Sequence, residues 1–413
     1  MRVLFVSNLY PPHDRGGYEI HCHDVAAGLQ ARGHDVFVLT SRYGLSDAVQ
    51  EEGVSRDLYL ECDIEYYRPA DFFSRRWRQE RHNARALRTA IAEFQPDAIM
   101  FWGMWLLSRR LPAIAEAGDV PVAYMIEDLW PIAQDPHTYY WRLPTHRRWA
   151  QPFKALAAMP ALALLRLEGY PPELQFKHAA CGSRFLKERL SHSIRAFKDA
   201  QVVLCGIDLA PFHRHRPLHG LDPSGQLRIA YLGGLVPHKG VHTAVESVAR
   251  LLEIAPDLRP RLTVVGAGHS AYERRLHELA SRLGVEDRVQ FTGSVPNEQV
   301  PDVLADHDIL VVPSVVAEGF GRVIVEGMAA GLVVVGTATG GSAEILVDGV
   351  NGLVFPPEDA SALAERLKRL AQDPALYARL AAEGKKTSAR FDMSEMTDKL
   401  ERFLTQVVTT HQT

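Results

Sequence analysis

The segment EGFGRVIVE carries two glutamates, Glu318 and Glu326, with seven residues between them and Gly319 and Gly321 inside the interval. Glu318 falls on a glycine-rich loop and Glu326 about one and a half turns into the helix that follows, so both can face one pocket. A carboxylate accepts paired hydroxyls well. Two of them can hold a ribose at one point and a hexose at another, on either side of a diphosphate bound at the helix start. Two solvated helix glutamates are the plainer alternative, but the apolar sequence VIVEGMAAG offers Glu326 little reason for that role. Lys239, in YLGGLVPHKG, follows Gly233 and Gly234 and precedes a helix expected from Val241, where a cation can neutralise a departing diphosphate. Alone it reads as a surface lysine. Gly16 and Gly17, in PPHDRGGYE, make another turn ahead of a helix and suit an anion in the same way.

Such turns need strands to aim them. Residues 2–8 are an apolar run, 18–32 repeat apolar residues at helical spacing, and 35–40 are apolar again, which predicts the β-loop-α-β unit of a parallel sheet. Further strands are expected at 97–102 and 121–126. A second series begins at 227–232 and continues at 262–265, 289–291, 309–312 and 332–335, so a second Rossmann-like domain is expected. The Pro/Gly/His-rich stretch 211–226 has the composition of a linker. The expected division is therefore residues 1–210, 211–390 and a terminal segment 391–413. Its helix, with Phe391, Met396, Leu400, Phe403 and Leu404 on the apolar face, is expected to pack back toward the N-terminal domain.

With 413 residues, 46% hydrophobic and 23% charged, the chain suits two globular domains. A net charge of −4 gives no reason to expect nucleic acid as a partner. The four cysteines have no metal-binding spacing and read as thiols of a reducing cytoplasm. The opening MRVLFVSNLYPP reads as a first strand rather than a signal peptide, and no apolar run is long enough to span a membrane.

GGYE, CGSRFL at 181–186, LCGIDLAPF at 204–212, GGLVPHKG, VVGAGH at 264–269, FTG at 291–293, EGFGRVIVE and GGSAEILVDGVNGLVF occur in that order. Together they make the chain resemble family 4 of the retaining glycosyltransferases over nearly its whole length. The resemblance implies the GT-B architecture, two Rossmann-like domains facing across a central cleft. It implies that Glu318 contacts the donor sugar with backbone from Gly319, Phe320 and Gly321. It further implies that Lys239 binds the diphosphate, Glu326 the ribose, and Gly16 and Gly17 the phosphate side. Gly233, Gly234, Gly266 and Val323 complete the donor set, and Glu318, Lys239 and Asp128 are the candidate catalytic residues. Two positions depart from the pattern: Gly234 stands where many members have an arginine, and Glu127-Asp128 where many have His-Asp. Members transfer with retention, by front-face attack and without an essential metal. No cofactor is therefore expected beyond a UDP- or GDP-linked sugar, and Asp306-His307-Asp308 reads as structural rather than metal-binding.

Rival readings are another GT-B enzyme of the epimerase or phosphorylase type, a non-catalytic sugar-nucleotide binder, and an NAD(P)-dependent oxidoreductase. The last rests on VVGAGHSA at 264–271, which matches G-x-G-x-x-A, with Asp287 about 20 residues beyond. The acceptor hydroxyl, on a glycan or a lipid-linked molecule, is expected to meet the loops 41–75 and 128–175. Residues 68–88, with seven arginines, Phe72, Phe73 and Trp77, and residues 148–167, with Arg148, Lys154 and Arg166 among apolar runs, are candidates for contact with an anionic membrane surface. A solvated helix face with core-packing aromatics is the plainer reading of both segments, so the expected location is the cytoplasm, with the inner face of the membrane as the alternative.

Overall fold

The computed structural model describes residues 1–13, 16–44, 51–64, 66–145, 148–213 and 225–412. Most of the expected linker, 214–224, lies outside the described residues, as do Asp14 and Arg15 of the first glycine turn. The chain forms two compact units. Unit 1 comprises Met1–Gly182, Leu186–Val203 and Met396–Thr413, and unit 2 comprises Ser183–Phe185 and Leu204–Glu395.

Unit 1 is built on seven strands: β1 (Arg2–Ser7), β2 (Asp35–Ser41), β3 (Val54–Leu58), β4 (Ala98–Phe101), β5 (Val122–Ile126), β6 (His178–Cys181) and β7 (Gln201–Val202). Their order is β3-β2-β1-β4-β5-β6-β7, all parallel. The apolar runs of β4 and β5 are buried at every position, because helices cover both faces of a parallel sheet. Unit 2 has six: β8 (Gln226–Leu232), β9 (Arg259–Val265), β10 (Val289–Gly293), β11 (Ile309–Val312), β12 (Val333–Gly336) and β13 (Gly352–Val354). They run β10-β9-β8-β11-β12-β13, also parallel. Both sheets are thus doubly wound, and strand order reverses between β1 and β4 in one and between β8 and β11 in the other. Ligands of such sheets bind outside the carboxyl ends of the strands at these reversals.

Every strand expected from the sequence is present. β3, β6, β7 and β13 were not expected, because each is short or carries polar residues with no apolar run to mark it. The last helix, Met393–Gln412, buries Met396, Leu400, Phe403 and Leu404. Its residues from Met396 on belong to unit 1. Asp398 receives Arg32 Nη2 at 2.6 Å, and Glu401 lies 2.8 Å from His34 Nε2, both just beyond the helix Gly17–Ala31. Phe391 is not on this helix: it sits in the 3-10 turn Ala389–Phe391 and packs on Phe320 in unit 2, ring centres 5.5 Å apart. The chain bends at Asp392, so the helical periodicity does not extend back to Phe391. Among the described residues no helix is long and apolar enough to cross a membrane.

Candidate functional site

In unit 2 the loops after β8, β9, β11 and β12 are drawn together by their backbones. Val315 N–H donates to His238 O at 2.9 Å, which fastens the loop after β11 to the turn that carries Lys239. Gly240, at φ +69°, lies so close to Pro313 that a Cβ would stand 1.9 Å from the Pro313 carbonyl oxygen. Leu235 N–H donates to Ala267 O at 3.0 Å, and Gly266, at φ +143°, leaves no room for a Cβ because Gly233 O would be 1.9 Å away. The loop after β12 closes the set, with Gly341 N–H donating to Glu318 O at 2.8 Å.

This scaffold brings two of the predicted side chains into contact. Lys239 Nζ lies 2.9 Å from Glu318 Oε1, and the Ser314 hydroxyl donates to the same oxygen. Lys239 is about a third exposed, at 35%, and Glu318 much less, at 13%, so the pair is open to a ligand from one side. Burial and then the Glu318 charge push the Tyr231 phenol up, and its O–H donates to Gly234 O at 2.9 Å. Burial and then Lys239 hold His238 below the ordinary imidazole range. Glu326 is buried on the short helix Arg322–Ala329, where Arg322 Nε donates to its Oε1 at 2.6 Å. Gly321 opens that helix at φ +107°, a conformation that only glycine adopts readily. Val323 is half-buried in its first turn. The Phe320 ring faces the core, which leaves its backbone for the site, and Gly319 O accepts from Ser183 Oγ at 2.6 Å. Residues Ser183–Phe185 of unit 2 thus brace the Glu318 loop, and Phe185 N–H adds a second tie to Glu344 Oε1 at 2.8 Å.

Gly233 and Gly234 differ in what they tolerate. Gly233 has φ +151°, whereas a Cβ on exposed Gly234 meets nothing within 4 Å. Gly266→Ala is expected to lower the unfolding free energy by about 1–3 kcal/mol, from a strained φ and a clash with Gly233 O. Gly234→Ala should stay within about 0.5 kcal/mol of the parent. Urea denaturation of the two variants checks the contrast; equal losses would mean that the loops close up differently.

In unit 1 the turn after β1 leads through Gly16, which has extended backbone, into the helix at Gly17. The first-turn Glu19 is buried, and its Oε2 lies 3.1 Å from where a Cβ on Gly16 would be, so a carboxylate already stands at this helix N-terminus. Asp128, after β5, accepts the Trp130 N–H at 2.7 Å and the Tyr18 hydroxyl, while burial raises its carboxyl above the ordinary range. Its neighbour Glu127 meets His21, Oε2 to Nδ1 2.9 Å, and both side chains are buried. Among the described residues the buried Nδ2 of Asn8, Nε2 of His21 and Oε1 of Glu127 have no hydrogen-bond partner. They lie on β-strand exits and the helix beside the reversal between β1 and β4, where Asn8 N–H donates to Gly103 O at 2.7 Å. The sequence alone did not expose the His21–Glu127 pair, because the partners are 106 residues apart and His21 lies in none of the motifs.

Asp308 forms a two-point ion pair with Arg228, 3.0 Å to Nε and 2.7 Å to Nη2, and His307 bridges Val303 O and Thr263 Oγ1. Both sit at the amino end of β11, away from the loops just described. The G-x-G-x-x-A turn follows β9 and not β8, and Asp287 precedes β10 at the opposite edge of the sheet. The dinucleotide fingerprint requires the strand at the reversal, so the oxidoreductase reading loses its structural context.

Two doubly wound sheets with their charged and glycine-rich turns gathered at the strand-order reversals define a protein of the GT-B fold class. Residues 220–387 match the family model for glycosyl transferases group 1, and residues 15–211 match that for glycosyltransferase family 4. A D-inositol 3-phosphate glycosyltransferase of Frankia alni is 32% identical over 291 residues, 62% of this chain and 70% of that protein. One of Stackebrandtia nassauensis is 37% identical over 183 residues, 43% of this chain, and the alignment spans only 41% of that relative's length. Of solved structures, a sucrose-phosphate synthase from Thermosynechococcus elongatus is similar with a TM-score of 0.73 at 19% identity, covering 99% of both chains. Anabaena HepE in complex with UDP is similar with a TM-score of 0.67 at 19% identity, covering 98% of this chain and 100% of that one. The chain belongs to the family 4, group 1 glycosyltransferases.

Proposed function

We propose that the protein is a retaining glycosyltransferase that moves a sugar from a nucleotide-diphosphate sugar to an acceptor hydroxyl, and that unit 2 holds the donor. The observation that carries this reading is the Lys239–Glu318 contact of 2.9 Å, set by four converging loops at the reversal between β8 and β11. Lys239 and the backbone N–H groups at the start of the helix Arg322–Ala329 bind the diphosphate. Glu326 takes the ribose hydroxyls and Glu318 the sugar hydroxyls. The base is uracil or guanine; UDP is the ligand named for the HepE structure.

The acceptor oxygen attacks the anomeric carbon on the face that the diphosphate leaves, a new C–O bond forms as the sugar–phosphate bond breaks, and the acceptor proton passes to the departing phosphate oxygen. Lys239 stabilises the charge that grows on that oxygen, so the protein supplies position and charge rather than a nucleophile. The orphaned polar atoms of Asn8, His21 and Glu127, with Glu19 at the Gly16–Gly17 turn, suit a hydroxyl-bearing ligand on unit 1. Asp128 positions Tyr18 there. The acceptor in this reading is a glycan or a lipid-linked molecule, and contact with a membrane is a separate proposal.

The test is turnover across UDP-, GDP- and ADP-sugars, with the product's anomeric configuration read by NMR. One donor should be used with retention, and EDTA should leave most of the rate, since Lys239 and backbone N–H groups hold the diphosphate. Inversion would defeat the mechanism. Complete loss with EDTA, restored by magnesium or manganese, would defeat metal independence.

A further inference from the structure

The helix Gln151–Leu167 in unit 1 turns its large apolar residues outward. It buries Ala158, Ala161 and Leu165, while Phe153, Leu156, Met159 and Leu167 are 70–87% exposed and Trp149, just ahead of it, 69%. Positions 149, 153, 156, 160, 163 and 167 recur every three or four residues and are all exposed, so they form one stripe along a helix face. At about 1.5 Å per residue the stripe is roughly 27 Å long. An apolar patch this continuous on a globular unit marks an interaction site.

Charge decides the partner. From Pro136 to Leu167 the sequence holds five cations, Arg142, Arg147, Arg148, Lys154 and Arg166, and no Asp or Glu, in a chain whose net charge is −4. Glu168, just past the helix, is consumed by Arg76 Nη2 at 2.7 Å, Trp77 Nε1 at 2.7 Å and Arg110 Nη2 at 2.9 Å. Those bonds fix the start of the helix Arg76–Phe94 beside the end of the stripe, where Arg75 and Arg78 and the partly exposed Phe73 and Trp77 enlarge the same basic, apolar corner. A second copy of this face would set cations against cations. A bilayer interface with anionic headgroups suits both features: the stripe fits the acyl boundary, and the exposed Arg142 and Arg166 fit phosphate.

Lys154 belongs to this helix and also lines a cavity of about 560 Å³, its Nζ 3.9 Å from the Tyr140 ring centre. The cavity opens at the carboxyl ends of β4 and β5, with Tyr67, Trp105, Trp130 and Tyr139 in its wall. Burial raises the carboxyl of Glu61 in that wall to about 8, while the Tyr170 hydroxyl, which donates to it, lowers it in part. Aromatic rings interleaved with Asp63, Arg109 and Asp135 suit the hydroxylated headgroup of an amphiphile, rings stacking on its apolar faces and polar side chains meeting its hydroxyls.

We propose that the helix Gln151–Leu167 docks unit 1 in the plane of an anionic bilayer surface and that the adjoining cavity takes the hydroxyl-bearing headgroup of a membrane-borne acceptor. The acceptor class rests on the transferase reading, whereas the docking does not.

The full chain is sedimented with vesicles of phosphatidylcholine alone and of phosphatidylcholine mixed with phosphatidylglycerol. Partition into the mixed vesicles should be at least tenfold stronger, should weaken in high salt, and should fall at least tenfold in Phe153→Ser/Leu156→Ser with circular dichroism unchanged. Absence of binding to the mixed vesicles, or equal binding by the double variant, overturns the docking. So does a dimer in sedimentation velocity that these substitutions dissociate while vesicles are ignored. With a sugar-labelled donor and vesicles of total polar lipid, label should enter the organic phase, and tenfold less should do so in the double variant. Label confined to water-soluble products overturns the acceptor class. No turnover with any donor, while vesicle binding persists, overturns the transferase reading and the acceptor class with it but leaves the docking standing.

Discussion

Lys239→Ala is expected to lower turnover at saturating donor by about 100- to 1000-fold. A single donor aimed at a developing oxyanion is typically worth about 2.7–4 kcal/mol, and each 1.36 kcal/mol is tenfold in rate. The value belongs at the upper end of that range because Gly234 stands where a second cation is common in the family, which leaves Lys239 to stabilise the leaving group with only backbone N–H groups. The substitution should not disturb the fold, since Lys239 is about a third exposed and, among the described residues, its ion pair is with Glu318. Circular dichroism checks this. Gly234→Arg in the Lys239→Ala background should recover part of the rate: Gly234 is exposed, its φ is not in the left-handed region, and a Cβ there meets nothing within 4 Å. A folded Lys239→Ala variant that keeps more than about a third of normal turnover, a barrier change under about 1 kcal/mol, would make Lys239 a surface lysine and put the diphosphate elsewhere.

Glu326→Ala should weaken donor binding by roughly 1.5–3 kcal/mol, the value of a hydrogen bond to a charged group, which is tenfold or more in Kd. The structure adds a control. Arg322 Nε holds Glu326 Oε1 at 2.6 Å, so removing the carboxylate also releases a guanidinium. Glu326→Gln keeps one carbonyl oxygen to accept from Arg322 but puts an NH2, which only donates, at the other position, so it should fall between the parent and the alanine variant. Titration calorimetry with the preferred nucleoside diphosphate reads all three. An unchanged Kd in Glu326→Ala would remove the ribose from this helix.

The donor-side reading was legible because its residues are local. Glu318 and Glu326 share one loop-helix unit, and Lys239 belongs to a strand-to-helix turn of its own, so each candidate is marked by a spacing of a few residues, while the part assigned to each comes from the family resemblance. The central strands were legible for a related reason: a strand buried on both faces must be apolar throughout, as β4, β5, β11 and β12 are. The edge strands β3 and β7 were not, because each lacks a neighbour on one side and polar residues such as Arg56 and Gln201 are tolerated.

By itself, then, the sequence determined two βαβ series, their glycine turns and the carboxylates and cation that those turns carry, since strand and helix periods and backbone freedom are properties of neighbouring residues. Only the tertiary structure decided what lies across a sheet reversal or on which side a helix faces. It joined Lys239 to Glu318 over 79 positions and His21 to Glu127 over 106. It also turned the apolar side of Gln151–Leu167 outward, where the same periodicity would equally have described a core helix. The physical reason is that packing energy depends on which faces meet, and a one-dimensional pattern states that a face exists without stating what it will touch.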